Sequence, residues 1–198
     1  MTTIVSGCSE ECVSLLDSLD PSCSALKKVG GVNRRVYIGQ LSQLSSYGQD
    51  TTTKDITAIT LGSCGSTSYK LKKFSGKKYK NNGTYELTVG ENVNVVMQSA
   101  ILVLYHFTSR DKEKIEQLFN AEDLFVIFEN NAGQVEVWGI EFGLNASAGS
   151  GGTGVLLNDP TAFTVTLSGE QSTLSRIFNV GPTSTLAQNL AYLDAIAD

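Results

Sequence analysis

Residues 121–170 constrain the fold of this 198-residue chain more than any other stretch, because runs that favour strands alternate there with residues that favour turns. The run 123–129 is apolar and strand-like. The segment Asn130-Asn131-Ala132-Gly133 then supplies residues that tolerate positive φ, and 135–142 alternates its side chains with the period of two of a half-buried strand. That pattern predicts a hairpin. Residues 147–154, SAGSGGTG, are too glycine-rich for a regular element and predict a flexible loop, whereas 163–167, FTVTL, alternates again until Gly169 stops it. The expected product is a β scaffold carrying a mobile loop.

Upstream, residues 10–19 place Val13 and Leu16 on one helical stripe that Asp20-Pro21 ends. Residues 27–31 read as a turn and 34–41 as a strand, with Val36 and Ile38 on one face and Tyr37 on the other. A polar loop is expected at 42–54, strands at 56–61 and 84–89, and a buried central strand through AILVLYHF within 92–107. Thr108 and Asp111 have capping-box spacing, and Ile115, Leu118 and Phe119 form one face of the helix that follows. Pro182 breaks the chain near its end. Thr185 and Gln188 repeat the capping spacing before a last helix, whose apolar face carries Leu186, Leu190 and Leu193. So short a helix does not persist alone in water, so it packs either on its own core or as a docking arm in a groove of an adjacent subunit.

Charge is distributed unevenly. Residues 121–198 hold nine acidic side chains and one basic, Arg176, while residues 1–120 hold 11 acidic and 14 basic, so a net charge of −5 divides into −8 and +3. Residues 69–81, YKLKKFSGKKYKN, concentrate Lys70, Lys72, Lys73, Lys77, Lys78 and Lys80 among three aromatics with no acid. Three readings fit: the solvated face of an exposed hairpin, a surface docking on the acidic half of a neighbouring copy, or contact with nucleic-acid phosphates. A chain of this length buries roughly 70% of its unfolded surface as one domain. No stretch approaches a membrane span, and MTTIVSGCSEEC lacks the character of a signal peptide, so folding in a cytoplasm is expected.

Reactive constellations are scarce, and no enzyme is expected. His106 is the single histidine and sits among Leu104, Tyr105 and Phe107, the setting of a core or strand residue rather than a general base. Gly62-Ser63-Cys64-Gly65-Ser66 is a small-residue loop, not a nucleophile elbow, and 147–154 lacks the lysine of a phosphate-binding loop. Cys8, Cys12, Cys23 and Cys64 match a zinc site in number but not in spacing, so free thiols, no metal and no cofactor are expected. Glu136, Glu141 and the other carboxylates show no spacing that pairs them for glycoside hydrolysis, and Asn158-Asp159 reads as a solvated turn rather than a calcium ligand pair.

The order of these pieces resembles the tail-tube and neck-ring virion structural proteins of tailed bacteriophages, especially the crAss-like phages of gut Bacteroidales. KKVGGVNRRVYIG at 27–39, DKEKIEQLFNAEDLFVIFENNAGQVEVWGIEFGL at 111–144 and GGTGVLLNDPTAFTVTLSGEQ at 151–171 carry the resemblance. It implies a mainly β fold, a tail-tube-like β-sandwich or barrel with one flanking helix and a C-terminal helix. An N-terminal arm would span 1–26, the β domain 27–180 and a C-terminal helical arm 181–198. It implies a non-enzymatic ring subunit of the virion. Its partners would be copies of itself, adjacent neck or tail proteins and DNA transiting a channel without sequence preference. On that reading the six lysines are assembly or DNA contacts. Ser147, Gly149, Gly151, Gly152 and Gly154 form an assembly loop, Leu186, Leu190 and Leu193 dock, and Glu136 and Glu141 are candidates for a negatively charged channel lining. The alternative is a solitary β-sandwich binding carbohydrate or protein through Trp138 and the loop at 147–154.

Overall fold

A computed structural model describes residues 34–76, 81–89, 94–105, 108–130, 133–152 and 162–198. Strand Arg34–Gln40 (β1) leads through a 3-10 turn at Leu41–Gln43 into the hairpin Leu44–Gln49 (β2) and Ile56–Leu61 (β3). The small hairpin Ser63–Cys64 (β4) and Thr67–Ser68 (β5) precedes Lys72–Gly76 (β6), Asn82–Val89 (β7) and Asn94–Tyr105 (β8). Helix Ser109–Asn120 (α1) is followed by Leu124–Glu129 (β9), Val135–Trp138 (β10), Asn145–Gly152 (β11) and Ala162–Gln171 (β12). Arg176–Ile177 (β13) and helix Leu186–Ala195 (α2) complete the order.

The fold is mainly β. A five-stranded antiparallel sheet has the order β13-β10-β9-β1-β6, and a four-stranded one the order β11-β12-β8-β7. Alternation along β1 and β9 supplies both faces of the first sheet. Val36, Ile38, Leu124, Val126 and Phe128 join Leu102, Leu104, Val165 and Leu167 of the second sheet in one core, which Ile115 and Leu118 of α1 complete. Tyr37, Phe125 and Ile127 point the other way and meet Ile56, Ile59, Phe178 and Leu193. The five-stranded sheet is therefore the middle layer, which is why LFVIF reads as an unbroken apolar run. Each such side chain, fully buried, contributes roughly 1.5–3 kcal/mol.

Both expected capping boxes form. Thr108 accepts from the Asp111 N–H and Thr185 from the Gln188 N–H, and the N3 side chains return bonds to the cap backbones. Three expectations change. Residues 44–49 form a strand rather than a loop, paired with β3. The strand after the 130–133 turn stops at Trp138, because Gly139 turns the chain at φ +74°. Residues 147–152 belong to β11, not to a loop: β12 supplies hydrogen-bond partners throughout, with one irregularity between Ala146 and Ala148. The aromatic rings of Phe119 and Phe163 occupy the space beside its glycines, since a Cβ on Gly149 would lie 2.9 Å from Phe119 and one on Gly151 2.4 Å from Phe163.

Candidate functional site

Among the described residues, the four-stranded sheet is covered by the core on one face only. Its inner face is set by the buried Val96, Gln98, Ala100, Leu102 and Leu104 of β8 and Val165, Leu167 and Gln171 of β12. The alternate residues face outward: Val95, Met97, Ser99, Ile101 and Val103 on β8, then Ala162, Thr164, Thr166, Ser168 and Glu170 on β12. Register adds Asn82, Thr84, Glu86 and Thr88 from β7. None of these outward side chains is buried, and none is a lysine or arginine. Within the run AILVLYHF, residues 100–104 are thus central in their sheet but covered on one side only.

Among the described residues, β7 pairs only with β8 and β11 only with β12, so both margins of this sheet keep unpaired backbone groups. β7 also leaves apolar side chains uncovered on the inward side, Leu87 at 65% exposure and Val89 at 74%. Tyr85, two residues earlier on the same side, stacks on Trp138 with ring centroids 4.5 Å apart. Its hydroxyl hydrogen-bonds Ser175, whose Oγ donates to Glu136 at 2.9 Å. Burial raises the Tyr85 pKa, and the Glu136 charge adds to the effect. Leu87 and Val89 lie past this last covered pair. Sequence reading placed strand 84–89 without foreseeing that it is an edge, because alternation reports faces and says nothing about lateral neighbours.

The lysine-rich segment is not a hairpin. β6 pairs with β1 in the middle sheet while β7 lies in the other sheet, so the chain crosses between layers here. Leu71 and Phe74 are buried, and Lys70, Lys72 and Lys73 turn toward the acids that follow α2 or lie on it. Lys73 Nζ lies 3.0 Å from Asp194, Lys72 Nζ 3.3 Å and Lys70 Nζ 3.5 Å from Asp198. Arg35 also pairs with Asp194, to which the Tyr37 hydroxyl donates at 2.8 Å. Burial opposes the Asp194 charge, but hydrogen bonds from Lys73 and Tyr37 outweigh it and hold the carboxyl below its usual range. Lys72 does the same for Asp198. Burial, reinforced by Asp194, pushes the Tyr37 phenol well up. The charge complementarity anticipated between copies is thus met inside one copy for these three lysines. Lys77, Lys78 and Lys80 lie outside the described residues.

The C-terminal apolar face is likewise occupied by its own chain. Leu193 is 0% exposed against the middle sheet, with Leu186 and Leu190 packed beside it. Buried Asn189 donates to the Phe178 carbonyl at 3.2 Å and accepts from the Val180 N–H at 3.1 Å. Beyond the helix, the Leu71 N–H donates to the Ile196 carbonyl and the Asp198 N–H to the Leu71 carbonyl, both at 3.0 Å. The residues expected to dock on a neighbour therefore pack intramolecularly.

Other candidates move as well. Trp138, offered as a recognition residue, is 2% exposed, between Tyr85 and Phe128 and over Gly83, where a Cβ would come within 2.3 Å of its ring. Glu136 accepts from Asn130 and Ser175, and Glu141 from Ser172 and Thr173, so neither lies on the outward face. Glu86 and Glu170 do. Cys64 is disulfide-bonded rather than a free thiol. Cys8, Cys12 and Cys23 lie outside the described residues. His106, Gly154, Asn158 and Asp159 also lie outside the described residues. Among the described residues no cluster of metal-binding side chains occurs, and no helix is long and apolar enough to cross a membrane. Comparison with protein-family models, curated proteins and solved structures finds no match to this chain.

Proposed function

We propose that the chain is a structural subunit of a phage tail tube or neck ring, assembling head to tail around a channel that passes DNA. The observation that carries this reading is the four-stranded sheet, which among the described residues is open at both margins and free of cations on its outward face. A sheet with two open margins on opposite sides suits a heterologous contact, which closes into a ring when the rotation between copies divides a full turn. An outward face of threonine, serine, alanine and aliphatic side chains, with Glu86 and Glu170 as its charges, offers phosphates no lysine or arginine to release counterions against. A duplex would slide past such a wall. The middle sheet and its two covering layers give the wall rigidity, and adjacent neck or tail proteins would contact the ring above and below.

The reading as a solitary binding module lacks its proposed surface, since Trp138 is buried and residues 147–152 are a strand. Sedimentation velocity and negative-stain microscopy of the purified protein, alone and with neighbouring phage proteins, test the proposal. Closed rings are expected. A protein that stays monomeric in both conditions would rule it out.

A further inference from the structure

The middle sheet ends at β6, which among the described residues pairs as a strand only with β1. Its first rung is already taken. Ala197 forms a parallel bridge to Leu71: the Leu71 N–H donates to the Ile196 carbonyl and the Leu71 carbonyl accepts from the Asp198 N–H, both at 3.0 Å. The backbone of Ser75, four residues along, points the same way as that of Leu71, and no described strand lies beside it. The tail at 196–198 is therefore a strand of one rung, set against a margin that runs on to Gly76.

Charge decides what else fits there. Lys70 and Lys72 share the carboxylate of Asp198, and Arg35 and Lys73 share that of Asp194, so each of these acids meets two cations. Even so, Arg35 and Lys70 keep 44% and 51% of their side-chain surface exposed. The sequence adds Lys77, Lys78 and Lys80 directly after β6, with no acid anywhere in 69–81. We infer that the β6 margin is an acceptor for an extended acidic segment of a partner protein, and that the C-terminal tail guards it by occupying the first rung. Main-chain bonds along 71–76 supply the affinity and the cations select for carboxylates, the usual division in strand addition. An acidic strand replaces one rung by several and keeps the ion pairs; a basic strand gains the rungs and meets like charge. Because β6 belongs to the middle sheet, the acceptor is independent of the ring reading, which rests on the four-stranded one.

One closing equilibrium of the tail sets two readouts. Asp198→Pro deletes the N–H donated to the Leu71 carbonyl and the carboxylate held by Lys70 and Lys72, at an exposed position, so the full-length variant retains its fold. A tail closed about nine-tenths of the time slows amide exchange at Leu71 and weakens a competing strand by the same factor of about ten. Wild type and variant are titrated with fluorescein-labelled octapeptides of alternating valine and glutamate, or valine and lysine, while amide exchange is followed at Leu71 and Ser75. The expected result is binding of the glutamate peptide alone, about tenfold tighter to the variant and protecting Ser75, with Leu71 of the free variant exchanging about tenfold faster than in wild type. Unchanged Leu71 exchange in the variant, equal binding of the two peptides, or binding of neither overturns the inference. So does a Ser75 amide already protected in wild-type protein without peptide, since the margin is then covered by another segment of the chain or by a second copy.

Discussion

Replacing Leu193 by alanine measures whether α2 belongs to the core of its own chain. The side chain is 0% exposed in the cluster formed with Tyr37, Ile56, Ile59 and Phe178. Three carbons are removed, a transfer loss of about 2.4 kcal/mol at about 0.8 kcal/mol each, and the unfilled space adds a cavity cost that brings buried leucines to about 3–4 kcal/mol. Alanine is the better helix former by a few tenths of a kcal/mol, which does not change the sign. For a chain of this size each kcal/mol moves Tm by about 2–4 °C, so a fall of about 10 °C is expected. Trp138, the single tryptophan, sits in the other core and reports global unfolding in a urea titration at concentrations where the protein is monomeric. A midpoint shift at constant slope supports the intramolecular helix. A loss below about 1 kcal/mol, accompanied by failure to assemble, would show that the helix does its packing on a neighbour and would refute the reasoning.

Two further outcomes follow from particular contacts. Gly83→Ala drives a methyl group to 2.3 Å from the Trp138 ring, so the ring must shift; a cost of about 1–3 kcal/mol and a changed emission maximum are expected, and unaltered fluorescence would contradict the packing. Asp194 and Asp198 have lowered folded-state pKa values, so their stabilisation is present above the unfolded carboxylate value near 3.9 and lost as pH falls through the lower folded values. Both are partly exposed and each contribution is small; the Asp194→Asn, Asp198→Asn variant should show a flatter loss of stability below about pH 4, and an identical slope would dismiss the carboxylates as its source.

Much of the fold is legible in local pattern. Thr108 with Asp111 and Thr185 with Gln188 mark their helices because capping is satisfied within four residues. The strand Ile56–Leu61 matches its expected bounds to the residue, although the residues it buries, Ile56 and Ile59, lie three apart rather than two. What escapes is whatever depends on distant partners. β11 looks like a loop because its own residues contribute almost no side chains, and the aromatic rings that fill it come from α1 and β12. Lys70, Lys72 and Lys73 look solvent-directed in sequence until Asp194 and Asp198, more than a hundred residues later, arrive opposite them. Leu87 and Val89 are ordinary alternating positions in sequence. Only the sheet order makes them a margin.

The burial of β9 has a kinetic consequence. In the finished molecule LFVIF is flanked by β1 and β10 and covered on both faces, so a segment apolar enough to stack into fibrils is unavailable to do so. Its hazard belongs to the interval before the flanks arrive. The hairpin with β10 is local and forms within about 1–10 μs, sealing one side at once. Sealing the other requires β1, which enters only when a long loop containing seven other strands has closed, and contacts of that separation form slowly. During that delay β9 presents an apolar, half-paired strand to every other chain nearby, and the yield of native protein is set by how its concentration compares with the rate of that one closure.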